Sequence, residues 1–177
     1  FSISGTENNM RGLKLSDDGT GRVDLFTWGN SVNNQLGMLH YEAPTQAGAS
    51  INSPVQMAGG DDDVSWKQVA SCSPGGGAYF FNAGIKRDGT LWTWGKHVEE
   101  GELGRTHIVE YDSQYEWASP KQVGSDDDWR WVTAGENENQ DYHAFAIKTD
   151  GTLWSWGYNA GGGLGLNDKT LRSSPTQ

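Results

Sequence analysis

The dipeptide Trp-Gly occurs as Thr27-Trp28-Gly29, Thr93-Trp94-Gly95 and Ser155-Trp156-Gly157, so the tryptophans stand 66 and 62 residues apart. Each is followed by Leu-Gly, at Leu36-Gly37, Leu103-Gly104 and Leu164-Gly165, and then by Ser-Pro-x-Gln, at Ser53 to Gln56, Ser119 to Gln122 and Ser174 to Gln177. An Asp triplet precedes a Trp-x-x-Val segment twice: Asp61 to Asp63 before Trp66 and Val69, and Asp126 to Asp128 before Trp129 and Val132. A unit recurring at such intervals is one supersecondary element that cannot bury its apolar face alone, so its copies must stack on one another. The repeats divide the chain into a partial first unit (1–53), a second (54–118), a third (119–173) and the start of a further one (174–177).

Composition explains what such stacking must be built from. Leu, Ile, Val and Phe make up about 17% of the 177 residues, a share that at this net charge is typical of disordered chains. Nine Trp and six Tyr reverse that expectation, because each aromatic can bury roughly 150–250 Å². The 25 Gly then read as turns and close backbone approaches. A formal net charge of −10 opposes phosphate contacts, so no nucleic-acid partner is expected. The longest apolar run, Ala78 to Phe81, stops at Asn82, far short of the roughly 18 residues that span a bilayer, and membrane insertion is not expected. A single cysteine, Cys72, permits neither an internal disulfide nor a thiolate metal cage.

Asp88-Gly89 and Asp150-Gly151 lie between short alternating runs, a strong hairpin signal that predicts two-residue type I′ turns. With Asp150-Gly151 at such a tip, Lys148 faces Leu153, Ile147 faces Trp154, Ala146 faces Ser155 and Phe145 faces Trp156. One face then carries Phe145, Ile147, Trp154 and Trp156, and the other carries Ala146 and Ser155. In the second copy Ile85, Trp92 and Trp94 share the bulky face, opposite Gly84 and Thr93. The first copy has a turn longer by four residues, Gly21 to Asp24, and keeps Phe26 and Trp28 on the bulky face. The fold class expected is all-β: propeller blades of four-stranded antiparallel sheets, about three repeats, in an incomplete ring.

The string Ala144 to Gly157, with its Leu-Gly and Ser-Pro-x-Gln followers, resembles the regulator of chromosome condensation repeat. The resemblance covers nearly the whole chain and implies a propeller, commonly of seven blades. It also implies a range of functions, because the family includes nucleotide-exchange factors for a small GTPase, inhibitors of bacterial enzymes, and surface or virion proteins of bacteria and tailed phages. The wording of Trp66 to Val69 and of Asp150 to Trp154 is most similar to the bacterial and phage versions. Both ends of the sequence fall inside a repeat, so a longer array is expected, with further repeats, another subunit or another domain covering the open faces.

Individual residues are weighed on the same footing. Trp28, Trp94 and Trp156 read as blade packing rather than sugar platforms, because they recur in every copy. The Asp triplets read as solvated turns rather than calcium ligands, and Gly161-Gly162-Gly163-Leu164-Gly165 lacks the Lys-Ser/Thr of a P-loop. His40, His97, His107 and His143 occupy different repeat positions without a catalytic companion, and Cys72 reads as a small buried thiol. No catalytic residue, metal or cofactor is expected. The insertion Arg105 to Trp117 mixes aromatics with acidic residues, and His107, Tyr111, Tyr115 and Trp117 are the candidate partner-binding residues. The function expected is a non-enzymatic interaction or structural module in a larger virion or cell-surface protein. Its partners would be proteins or neighbouring subunits, with a glycan receptor as a further candidate. The alternatives are a guanine-nucleotide exchange factor and an enzyme with a composite site across blades.

Overall fold

The computed structural model describes residues 3–6, 9–30, 36, 50–57, 65–72, 80–96, 101, 103–104, 120–136 and 142–177. Among them the fold is all-β. The first sheet contains β1 (Ile3–Gly5), β2 (Asn9–Leu15), β3 (Val23–Gly29) and β4 (Ile51–Gln56). The second contains β5 (Trp66–Cys72), β6 (Phe80–Lys86), β7 (Leu91–Lys96) and β8 (Lys121–Gln122), and the third β9 (Trp129–Glu136), β10 (Tyr142–Lys148), β11 (Leu153–Gly157) and β12 (Arg172–Thr176). Within each sheet the four strands lie antiparallel in chain order, the meander of a propeller blade, and the three blades form an incomplete ring.

The repeated dipeptides have backbone reasons. Pro54 and Pro175 sit in β4 and β12, which are edge strands where a missing N–H breaks no ladder. The pairing of β11 with β12 shifts register between Ser155 and Gly157, and Gly157 adopts φ 103°. A Cβ there would run into the Tyr142 carbonyl oxygen, and one on Gly95 into that of Phe80. Only glycine can follow the tryptophan at this bulge.

Asp88-Gly89 and Asp150-Gly151 stand at hairpin tips, but the register differs by one residue from that of a two-residue turn. Ile147 pairs with Leu153, Ala146 with Trp154, Phe145 with Ser155 and Ala144 with Trp156. The Lys148 N–H donates to the Thr152 carbonyl at 3.1 Å and the Gly151 N–H to the Lys148 carbonyl at 3.0 Å. The loop therefore holds three residues, a tight turn followed by Gly151 at φ 88°. Threonine supplies the cause: the Asp150 carboxylate accepts the Thr152 N–H at 2.9 Å and its hydroxyl at 2.7 Å. Asp88 holds Thr90 in the same way at 3.0 and 2.7 Å, and Asp18 holds Thr20 at 2.9 and 2.6 Å.

A one-residue slip exchanges the partners on both faces of a hairpin. Trp154 and Trp156 thus share a face with Ala146 and Ala144, while Phe145 and Ile147 share theirs with Ser155 and Leu153. In the second sheet Trp92 and Trp94 lie beside Gly84 and Asn82, and Ile85 lies beside Leu91. Trp92, Trp154 and Trp156 each lie across a small cross-strand neighbour, Gly84, Ala146 and Ala144, which leaves the second and third sheets with an indole face and an aliphatic face. The aliphatic face of the first sheet (Leu13, Leu25) packs on the indole face of the second (Trp66, Val69, Trp94). The aliphatic face of the second (Ile85, Leu91, Cys72) packs in turn on the indole face of the third (Trp129, Val132, Trp156). Cys72 is buried, as expected of a small thiol at this place in the repeat.

Polar contacts fix the second junction. The Gln68 side-chain amide donates to the Val132 carbonyl at 2.8 Å and accepts the Val132 N–H at 3.1 Å. It thereby closes part of the unpaired edge of β9. Replacing Gln68 by Ala leaves both Val132 backbone groups without this partner, and an equilibrium urea titration is expected to show a loss of roughly 1–3 kcal/mol.

Candidate functional site

His107, Tyr111, Tyr115 and Trp117 lie outside the described residues, as do His40, His97 and Asp61 to Asp63. The second Asp triplet is described, and it faces a cation of the protein itself. Lys148 lies 2.7 Å from Asp126 and 3.0 Å from Asp128, with its ammonium 4.9 Å from the ring centres of both Trp129 and Trp154. Burial alone would lower the Lys148 pKa, but hydrogen bonds and charge from Asp126 and Asp128 outweigh it and hold the group above its ordinary value. Lys86 occupies the corresponding place in the second blade, 3.9 Å from the Trp92 ring centre and 5.6 Å from that of Trp66. The indole N–H groups are oriented as well: Trp92 donates to the Thr90 hydroxyl at 2.7 Å and Trp154 to that of Thr152 at 2.9 Å. Asp, Thr, Trp and Lys thus form a stabilising unit repeated in the second and third blades. The sequence signal for it was Asp-Gly-Thr-x-Trp with Lys two residues ahead of the Asp, a pattern that a search for hairpin turns alone passes over.

The glycine loop after Trp156 is organised from inside. Asn159, 1% exposed, accepts the Leu164 N–H at 3.0 Å and donates to the Asp168 and Thr170 carbonyls, each at 3.1 Å. Asp168 in turn pairs with Arg172 at 2.6 Å. Its carboxyl is held below the usual range first by the Thr170 N–H and then by Arg172. These donors are spent on loop closure rather than arrayed around an anion. His143 stacks edge-on against Phe145, ring centres 5.5 Å apart. Arg11 was not singled out by sequence reasoning, yet it is 1% exposed, and burial pulls its guanidinium pKa down to about 9.

Among the described residues, the aliphatic face of the third sheet is open. Trp131 is 42% and Leu153 55% exposed there, beside half-buried Phe145 and Ile147. A depression of about 380 Å³ is lined by Arg130, Trp131 and Ile147. The corresponding side chains of the second sheet, Ile85 and Leu91, are fully covered.

Residues 141–162 match the regulator of chromosome condensation (RCC1) repeat. The Arabidopsis thaliana protein titled "RCC1 domain-containing protein RUG3, mitochondrial" is 29% identical over 156 residues, 87% of this chain. The third blade carries an RCC1 repeat, and the chain is similar to RCC1-repeat proteins. A human protein titled "Probable E3 ubiquitin-protein ligase HERC3" is 35% identical to this chain over 91 residues, or 51% of the chain. The array spans only 31% of the plant relative and 8% of the human one. The crystal structure of human WBSCR16 shares the fold over 99% of the array and 36% of its own chain, with a TM-score of 0.66 at 19% identity.

Proposed function

We propose that this repeat array is a non-enzymatic protein-interaction module of a larger protein displayed on a virion or cell surface. The exposed aliphatic face of the third sheet carries the proposal: Trp131 and Leu153, 42% and 55% exposed, supply aromatic and aliphatic anchors of the kind that dominate protein interfaces. The insertion bearing His107, Tyr111, Tyr115 and Trp117 is a second contact region of this module. Lys148 with Asp126 and Asp128, and Asp168 with Arg172, serve the blades themselves, which supports docking over chemistry.

Replacing Tyr111 and Tyr115 together by Ala is expected to weaken association with neighbouring subunits while leaving the melting temperature nearly unchanged. Loss of stability with association intact would assign the insertion to covering its own blade. Impermeant amine reagents applied to intact particles or cells should label the array if it is displayed. Accelerated release of labelled nucleotide from a small GTPase would shift the reading to nucleotide exchange.

A further inference from the structure

A cavity of about 390 Å³ lies at the internal junction of the second and third blades, with walls from both. Trp129, Trp154 and Pro175 of the third blade give it apolar surface, and Ser125, Asp126 and Ser174 bring polar groups to it. Ser125 and Asp126 belong to the connection from β8 to β9, while Ser174 and Pro175 belong to the edge strand β12. The volume stands at the low end of small-molecule sites, which run from roughly 300 to 1,000 Å³, and suits one ring rather than a chain.

The lining groups select among ligands. The Trp154 indole N–H is held by the Thr152 hydroxyl at 2.9 Å, whereas that of Trp129, a side chain 2% exposed, has no acceptor among the described residues. A buried donor left without an acceptor is costly, and a ligand oxygen would supply one. The place of a cation is already taken, since the Lys148 ammonium lies 4.9 Å from both indole centres and 2.7 Å from Asp126. An anion would meet the Asp126 carboxylate, 52% exposed, on a chain of formal net charge −10. A neutral ligand fits. A carboxylate offers about four acceptor sites, so a ligand that covers Asp126 must bring hydrogen-bond donors to it. A polyproline segment carries carbonyl acceptors and no N–H. A polyhydroxylated ring both donates and accepts, and its C–H face packs on indole and proline.

We infer that this cavity binds one neutral pyranose ring. A sugar oxygen accepts the Trp129 N–H, neighbouring hydroxyls donate to Asp126 and exchange hydrogen bonds with Ser125 and Ser174, and the C–H face lies against Trp154 and Pro175. The site is separate from the aliphatic face of the third sheet, so neither reading depends on the other.

Isotopic labelling of tryptophan gives each indole N–H its own nuclear magnetic resonance signal, and Trp129→Phe assigns the one at the cavity. Glucose, mannose and galactose, their methyl glycosides, glucuronic acid and a polyproline peptide are titrated separately. At least one neutral sugar is expected to shift the Trp129 signal saturably in the millimolar range, and glucuronic acid is expected to leave it in place. A response to methyl glycosides assigns the ring to the end of a glycan, and a response to free sugars alone assigns it to a free monosaccharide. Ser174 lines the cavity from an exposed position on β12. Ser174→Trp fills the opening and is expected to weaken binding roughly 10-fold or more with the melting temperature unchanged. The absence of a shift with every neutral sugar overturns the inference, as does equal affinity in Ser174→Trp or a stronger response to glucuronic acid. A shift with the polyproline peptide alone reassigns the cavity to a peptide and overturns the sugar.

Discussion

Replacing Trp156 by Ala is expected to cost roughly 3–5 kcal/mol, as truncation of a fully buried large aromatic does, and to lower the melting temperature by roughly 10 °C in a domain of this size. The side chain is 0% exposed. It belongs to the core shared by the second and third blades and lies against Gly104 of the adjacent blade. The cavity would open at a junction held in place by the Gln68 clamp on Val132, so relaxation can recover little of the lost contact. A urea titration followed by tryptophan fluorescence and by far-ultraviolet circular dichroism measures the loss. An unchanged midpoint would place this indole outside the core and revive its reading as a ligand platform.

Gly89 and Gly151 occupy identical motifs, and their replacement by Ala is expected to have unequal effects. Both adopt the left-handed conformation, at φ 86° and 88°, which costs an alanine about 1–2 kcal/mol. At Gly151 nothing lies within 4 Å of the added methyl, so that strain is the whole effect. At Gly89 the methyl would collide with the Asp127 carbonyl, where the Gly89 carbonyl accepts the Trp129 N–H at 3.0 Å. Relieving the collision pulls the hairpin tip from the third blade, adding about 1–3 kcal/mol as overpacking does. Thermal melts of the two variants under one buffer test the difference. Equal losses would show that the tip is not seated on its neighbour.

The pH response of the turns has a definite sign. Hydrogen bonds from the Thr152 N–H and hydroxyl hold the Asp150 carboxyl below its ordinary value, and Asp18 is held down chiefly by the Thr20 hydroxyl. A depressed carboxylate contributes stability above its unfolded pKa and loses it as pH falls through the lower folded one. These turns therefore loosen on the acid side of the ordinary carboxylate range.

The repeat, the all-β class and the stacking of blades were legible in the sequence, because Trp-Gly, Leu-Gly, Asp-Gly and Ser-Pro each impose a local backbone requirement that recurs at near-constant spacing. Local chemistry also located the hairpin tips. It did not determine their register, since an Asp-Gly pair fits both a two-residue loop and a three-residue loop. The choice lay with the Asp150–Thr152 hydrogen bonds and reversed which side chains share a face. The Gln68 clamp and the buried Arg11 were illegible for a different reason. Their roles depend on groups brought close by strand pairing and blade stacking: Gln68 and Val132 are 64 residues apart in the chain. The sequence determined what each blade is made of; only the tertiary structure decided which faces meet, because burial and long-range hydrogen bonding are properties of stacked sheets and not of a single strand.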